Sequence, residues 1–244
     1  MTPDADADPL IAGLEPELRT TIGAEWLRRA EVELTAAGLS ALLLRGLLID
    51  HAGREVLELA ANAVGEETRH ARICQSVAER YVGRELPWPR ARQVDDGVFG
   101  DAPAPINRLL SLVLHCCVNE TLATVCLREG LKCAESPTVK AATRQLLQDD
   151  LNHARIGWAH LGSPAVGAEA KAHVARALPT LLRLGRDGWL DEPRAPIDAP
   201  AHGVLSNARF PALFHNAVSE LILPGFEHVG VDIREARAFL RRGA

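Results

Sequence analysis

Two stretches decide the reading of this chain: Glu66-Glu67-Thr68-Arg69-His70-Ala71-Arg72-Ile73 and, far downstream, Asp149-Asp150-Leu151-Asn152-His153-Ala154-Arg155-Ile156. Both end in His-Ala-Arg-Ile and both open on an acidic doublet. The carboxylates at 67 and 150 stand three residues before the histidines at 70 and 153, so on a helix each pair shares one face, a turn apart. A repeated segment of this kind marks equivalent parts of two copies of one hairpin.

Working outward from the first copy in steps of four and three gives Val56, Ala60, Ala63, Glu67, His70, Cys74, Val77 and Tyr81, an apolar seam interrupted by two ionisable groups. The second copy gives Val139, Thr143, Leu146, Asp150, His153 and Gly157. Two more stripes have the same character: Ile22, Trp26, Ala30, Glu33, Ala37, Leu44 and Leu48 at near-heptad steps, and Leu110, Val113, Cys117, Glu120, Thr124, Leu127 and Leu131. Hardly any window shows strand alternation, so the chain is all-α, with helices predicted near 16–50, 53–82, 105–134 and 137–161. The first and third connections are short and force antiparallel hairpins. The second, through Pro87, Pro89 and Pro103, is a long crossover. Two hairpins joined by one crossover is the connectivity of a ferritin-like four-helix bundle.

The chain of 244 residues is 47% apolar, enough for one large core with an appendage. The expected organisation is a disordered lead-in over 1–15, the bundle over 16–162, and a C-terminal helical extension over 163–244. The extension reads as a helix over 167–186, a loop through Pro193, Pro196 and Pro200, a helix over 208–229 that Pro224 should kink or end, and a short helix to Arg242. A net charge of −5 with scattered basic residues excludes nucleic acid as a partner. The longest apolar runs, 39–49 and 109–118, are broken by Arg45 and His115 and fall short of a bilayer, so no membrane span is expected. The aspartate-rich N-terminus has no export signal and points to the cytoplasm. Five cysteines without a C-x-x-C pair suggest neither a disulfide framework nor a thiolate zinc site.

A carboxylate in an apolar core is costly unless it is paired or binds metal. Four such interruptions near mid-helix would face one another across the bundle: Glu33, Glu67, Glu120 and Asp150, with His70 and His153. Oxygen ligands with two imidazoles suit iron or manganese. This set resembles the ferritin-like di-iron carboxylate superfamily, with one Glu on the first and third helices and E-x-x-H on the second and fourth. Glu66-Glu67-Thr68-Arg69-His70 is similar to the (D/E)-E-x-R-H form of di-iron oxygenases, and Asn119-Glu120-Thr121 fits the third helix. Asp150 departs from the usual Glu. The resemblance implies a pair of iron ions, with manganese or a mixed pair as alternatives, and makes Glu66 and Asp149 the carboxylates that would bond the outer nitrogens of the ligand histidines. By pattern alone Asp149 and Asp150 could exchange roles; the repeat alignment favours Asp150.

Other polar residues read more plainly. Glu25 and Glu31 fall off the apolar stripe and should be exposed. His115 lies off its seam and reads as a polar or interface residue, and His160 as a partner of a helix C-terminus. Trp26 reads as core, Cys74 and Cys117 as packing near the site, and Tyr81, three turns from His70, is a poor radical partner. The function implied by the resemblance is activation of O2 to oxidise a small organic molecule, with an external electron donor. The alternatives are iron oxidation and storage, peroxide removal by manganese, and a non-catalytic scaffold. The extension would roof a substrate pocket or form a homodimer contact.

Overall fold

The computed structural model describes residues 8–93, 99, 101–192, 194 and 196–241. The helices are α1 (Pro9–Ala12), α2 (Pro16–Ile49), α3 (Arg54–Val82), α4 (Ala104–Cys133), α5 (Pro137–Gly162), α6 (Ala168–Leu190), α7 (210–228) and α8 (Arg234–Arg241). Among the described residues there is no strand, only a single bridge between Ala199 and Val204. Pro9, Pro16, Pro105 and Pro137 lie in first turns, where a proline needs no N–H partner and its fixed φ is already helical. Ser136 caps α5 by accepting from the Val139 N–H, and Gly83, at φ +72°, ends α3.

The α2–α3 and α4–α5 pairs are antiparallel hairpins, and the segment between α3 and α4 crosses over, as the connection lengths predict. Residues 94–98 and 100 of that segment lie outside the described residues. Every member of the α3 and α5 seams is buried. At one end of the bundle Ile22, Trp26, Tyr81, Val139 and Leu146 form an apolar cluster, and at the other Leu43, Leu47, Val56, Ala60, Leu112 and Ile156 form a second. A third joins Val118, Leu122 and Val125 of α4 to Leu178 and Leu181 of α6 and to Phe214 and Phe226 of α7. The extension is therefore packed on α4.

Several expectations need correction. The lead-in is not disordered from residue 8 onward: Ile11 is fully buried, and Asp8 caps α1 while accepting from Ser136 Oγ at 2.6 Å and Thr138 N at 3.1 Å. Residues 1–7 lie outside the described residues. On α2 the near-heptad stripe fails at Leu48, which is 55% exposed, while Ser40, Leu43 and Leu47 turn inward. A straight helix at 3.6 residues per turn drifts about 20° per heptad away from a 3.5 repeat. The third helix is not uniformly α: Val113–Asn119 is a π turn. In α7 the chain runs on past Pro224, which sits in the first turn of an α stretch directly after a second π turn, Val218–Ile222. α6 continues beyond 186 to Leu190 because Trp189 stacks on Phe210, ring centres 5.5 Å apart. Pro193 and Arg242 lie outside the described residues.

By length and composition α2 and α4 are apolar enough to cross a membrane, which the broken apolar runs did not suggest. In the fold both line the bundle interior and carry charged groups at its centre.

Candidate metal centre

Four helices bring the six sequence-predicted residues to one place, between the two apolar clusters of the bundle. Glu33 comes from α2, Glu67 and His70 from α3, Glu120 from α4, and Asp150 and His153 from α5. Two groups share Glu67: Glu33, Glu67 and His70 offer ligand atoms within 4.8 Å of one another, and so do Glu67, Glu120 and His153. His70 Nδ1 lies 3.6 Å from Glu33 Oε2 and from Glu67 Oε2, and His153 Nδ1 lies 3.1 Å from Glu67 Oε1. Asp150 Oδ1 stands 3.6 Å from both Nδ1 atoms. Asp150 thus faces both imidazoles while standing outside the two tighter groups.

The outer nitrogens are held from the opposite helix. His70 Nε2 donates to Asp149 of α5 at 3.0 Å, and His153 Nε2 donates to Glu66 of α3 at 2.9 Å. Arg69 Nη2 shares the same Asp149 oxygen at 2.8 Å. These bonds set the tautomers so that both Nδ1 atoms face inward. The three inward atoms Glu67 Oε2, His70 Nδ1 and His153 Nδ1 are buried without a hydrogen-bond partner. Unpaired polar atoms of that kind are rare in a folded core.

The electrostatics show the same tension. Burial raises the pKa of Glu33, Glu120 and Asp150, with Glu67 adding its repulsion. Burial also opposes a charge on either histidine, but the surrounding carboxylates outweigh it and hold His70 up at about 11 and His153 at about 10. Four carboxylates facing two imidazoles are a donor set with excess negative charge. Two divalent cations would balance it and take up the unpaired atoms.

A cavity of about 400 Å³ reaches these carboxylates. Glu33, Glu67, Glu120 and Asp150 stand at its inner end, Val32, Leu39, Leu127, Leu184 and Leu213 are among its apolar walls, and Gly188, Trp189 and Phe210 of the extension close it over. The buried Thr143 Oγ1 and Asn119 Oδ1 lack partners and border the same space. A second cavity of about 450 Å³, around Asp50, Arg108 and His160, has none of the six residues in its walls.

The sequence matches no protein family profile and no curated protein. A solved structure does match: Protein 19 with aldehyde deformylating oxidase activity, from Synechococcus, at a TM-score of 0.52 and 18% identity, over 91% of this chain and 99% of that one. The fold is ferritin-like.

Within this ferritin-like bundle, sequence reasoning misplaced three polar residues. His115 is buried in the core, its Nε2 3.3 Å from Glu120 Oε1, and it lines the cavity. Five residues is not an α-helical neighbour spacing, but it is the hydrogen-bonded spacing of a π turn, and the Glu120 N–H does bond to the His115 carbonyl. Burial lowers the His115 pKa to about 4, so the ring is neutral at pH 7. Glu25 is buried, not exposed, and accepts from Arg28, which also reaches Glu192 of the extension. His160 is buried too, and burial lowers its pKa, so it is no cationic partner of a helix end. Trp26 and Tyr81 are core residues tied to His202, Trp26 through the His202 carbonyl and Tyr81 through Nδ1.

Proposed function

We propose that this chain is a non-haem dinuclear-metal oxidase or oxygenase that binds two iron ions, with manganese as the alternative, and uses O2 to oxidise a small organic substrate. The observation that carries the reading is the convergence of three buried, unpartnered donor atoms, Glu67 Oε2, His70 Nδ1 and His153 Nδ1, at the inner end of a largely apolar cavity. Glu33 and His70 would hold one metal and Glu120 and His153 the other. Glu67 and Asp150, each close to both histidines, would lie between the two. When bound, the pair supplies the redox chemistry toward O2.

The protein's own residues do the rest. Asp149 and Glu66 fix the imidazole orientation and raise the basicity of the inward nitrogens. The apolar walls receive the substrate, and the extension excludes water from the inner end. A cavity roofed by α6 and α7 favours this reading over iron storage, because storage needs no organic binding site. An external electron donor belongs to the proposal, since an oxygenase must be reduced again after each turnover.

The test is metal content per chain after anaerobic Fe(II) titration, followed by O2 consumption with candidate substrates. About two metals per chain is expected, and none after reconstitution would leave the bundle as a scaffold.

A further inference from the structure

The cavity that reaches the carboxylates also carries a group of arginines in its walls. Arg28, Arg29, Arg92 and Arg194 line it, and Glu192 is the acidic residue among them. Arg92, 49% exposed, marks the solvent side, whereas the Glu67 side chain is 2% exposed. The arginines are not equally engaged. Glu192 accepts from both terminal nitrogens of Arg92, at 2.8 and 3.1 Å, and from Arg28 at 3.0 Å, and Glu25 takes the remaining Arg28 bond.

Arg29 and Arg194 make no salt bridge to a carboxylate among the described residues, although Glu192 lies near enough to Arg194 to act on its charge. Arg29 lies over the Trp26 ring at 4.4 Å and gives one bond to the Gly203 carbonyl. Arg194 lies over Trp189 at 5.3 Å, and its Nε is buried without any partner. Burial and the nearby Arg28 and Arg29 lower the Arg194 pKa, which places the three cations within one another's field. A guanidinium presents a rigid fork of donors suited to carboxylate and phosphate, and stacking on an indole holds that fork in place. Two such forks with spare donors line the same cavity as the metal-ligand cluster, and Arg29, four residues before Glu33 on one helix, stands beside it.

We infer that the cavity binds a small amphiphilic molecule by its oxyanion head group, a carboxylate or phosphate, held by Arg29 and Arg194, with its apolar part against the leucine walls and beside the carboxylate cluster. This rests on the reading of the inner end as an oxidising metal centre, and it names the substrate class of that same site. Arg29 is one helical turn from Glu33, so the head group fixes where the apolar part lies beside the cluster. The arginines would act as positioning residues.

The test is equilibrium binding of octanoate, octyl phosphate and octan-1-ol to the metal-reconstituted protein, with metal content measured on the same samples. The two anions are expected to bind at least about tenfold more tightly than the neutral alcohol. R194Q should weaken octanoate by about tenfold and leave octan-1-ol unchanged, and R194K, which keeps the charge but loses the stacked fork, should restore octanoate binding only in part. R29Q should do the same; because it also releases Trp26, its melting temperature is read alongside, and R194Q on the loop decides if R29Q unfolds. Equal binding of octanol and octanoate, or octanoate affinity untouched in R194Q and a folded R29Q, overturns the inference. Two metals per chain without head-group discrimination sinks this inference and leaves the oxidase reading standing. Arginine-dependent anion binding in a chain that takes up no metal keeps the anion site and removes the oxidase reading.

Discussion

The two halves of the candidate centre are copies in sequence and differ in structure. In the half made by Glu33, Glu67 and His70, the side chains stand on two regular α-helices, and Gly65, just before the acidic doublet, has open space around it. In the half made by Glu67, Glu120 and His153, the carboxylate of α4 follows a π turn that presses against its neighbours. A Cβ on Gly157 would come within 2.7 Å of Cys116 and Cys117, and one on Gly185 within 2.8 Å of Val118. The second half also holds a buried neutral imidazole, His115, with no counterpart in the first among the described residues. Repeating the acidic-x-x-His pair therefore repeats the ligands and leaves their surroundings free to diverge, because the surroundings come from residues outside the two repeated segments.

The strongest way to break this comparison is to remove the residue the halves share. Glu67→Ala is expected to lower metal content from about two per chain to near none, whereas Glu33→Ala and Glu120→Ala should each lose one; elemental mass spectrometry with circular dichroism as the folding control decides it. Next, the outer carboxylates cross between helices, so Asp149→Ala should weaken the His70 half and Glu66→Ala the His153 half, each by about 10–100-fold in metal affinity. Competition with a chelator reads this, and an effect on the histidine of the same helix would contradict the crossed bonding.

The packing difference is sharpened by glycine. Gly157→Ala should destabilise by about 1–3 kcal/mol through overpacking against the π turn, measured by urea unfolding. Asp8→Ala, which loosens α1 from the start of α5, should cost about 1 kcal/mol at pH 7 with metal content unchanged. Its hydrogen bonds outweigh the effect of burial and lower the Asp8 pKa in the folded state. The stability Asp8 contributes is therefore present above about pH 4 and lost as pH falls through the folded value, so the mutant and parent should converge in acid. Smallest of all, Gly65→Ala in the open first half should stabilise by about 0.5–1 kcal/mol.

The legible part of the site lies on α3 and α5, where apolar residues and ligands follow one 3.6-residue face and every seam position is buried. Periodicity works there because both helices are regular and central. It failed on α2 past Ala37, where a straight helix drifts off the heptad, and on α4 at His115, where a π turn rotates the chain by a step that no α-helical template contains. Glu25 and His160 were misread for reasons that involve distant segments: Arg28, which covers the first, is itself held by Glu192 of the extension, and the second faces Asp50 and Arg108.

By itself the sequence determined the helical class, the two hairpins with their crossover, and the six residues that meet at the centre, because helix periodicity and the lengths of connections are local properties. Only the tertiary structure decided which carboxylate serves which imidazole, where His115 points, and that the extension closes a cavity with four arginines in its walls. Those outcomes depend on contacts between segments far apart in the chain, and no local spacing encodes them.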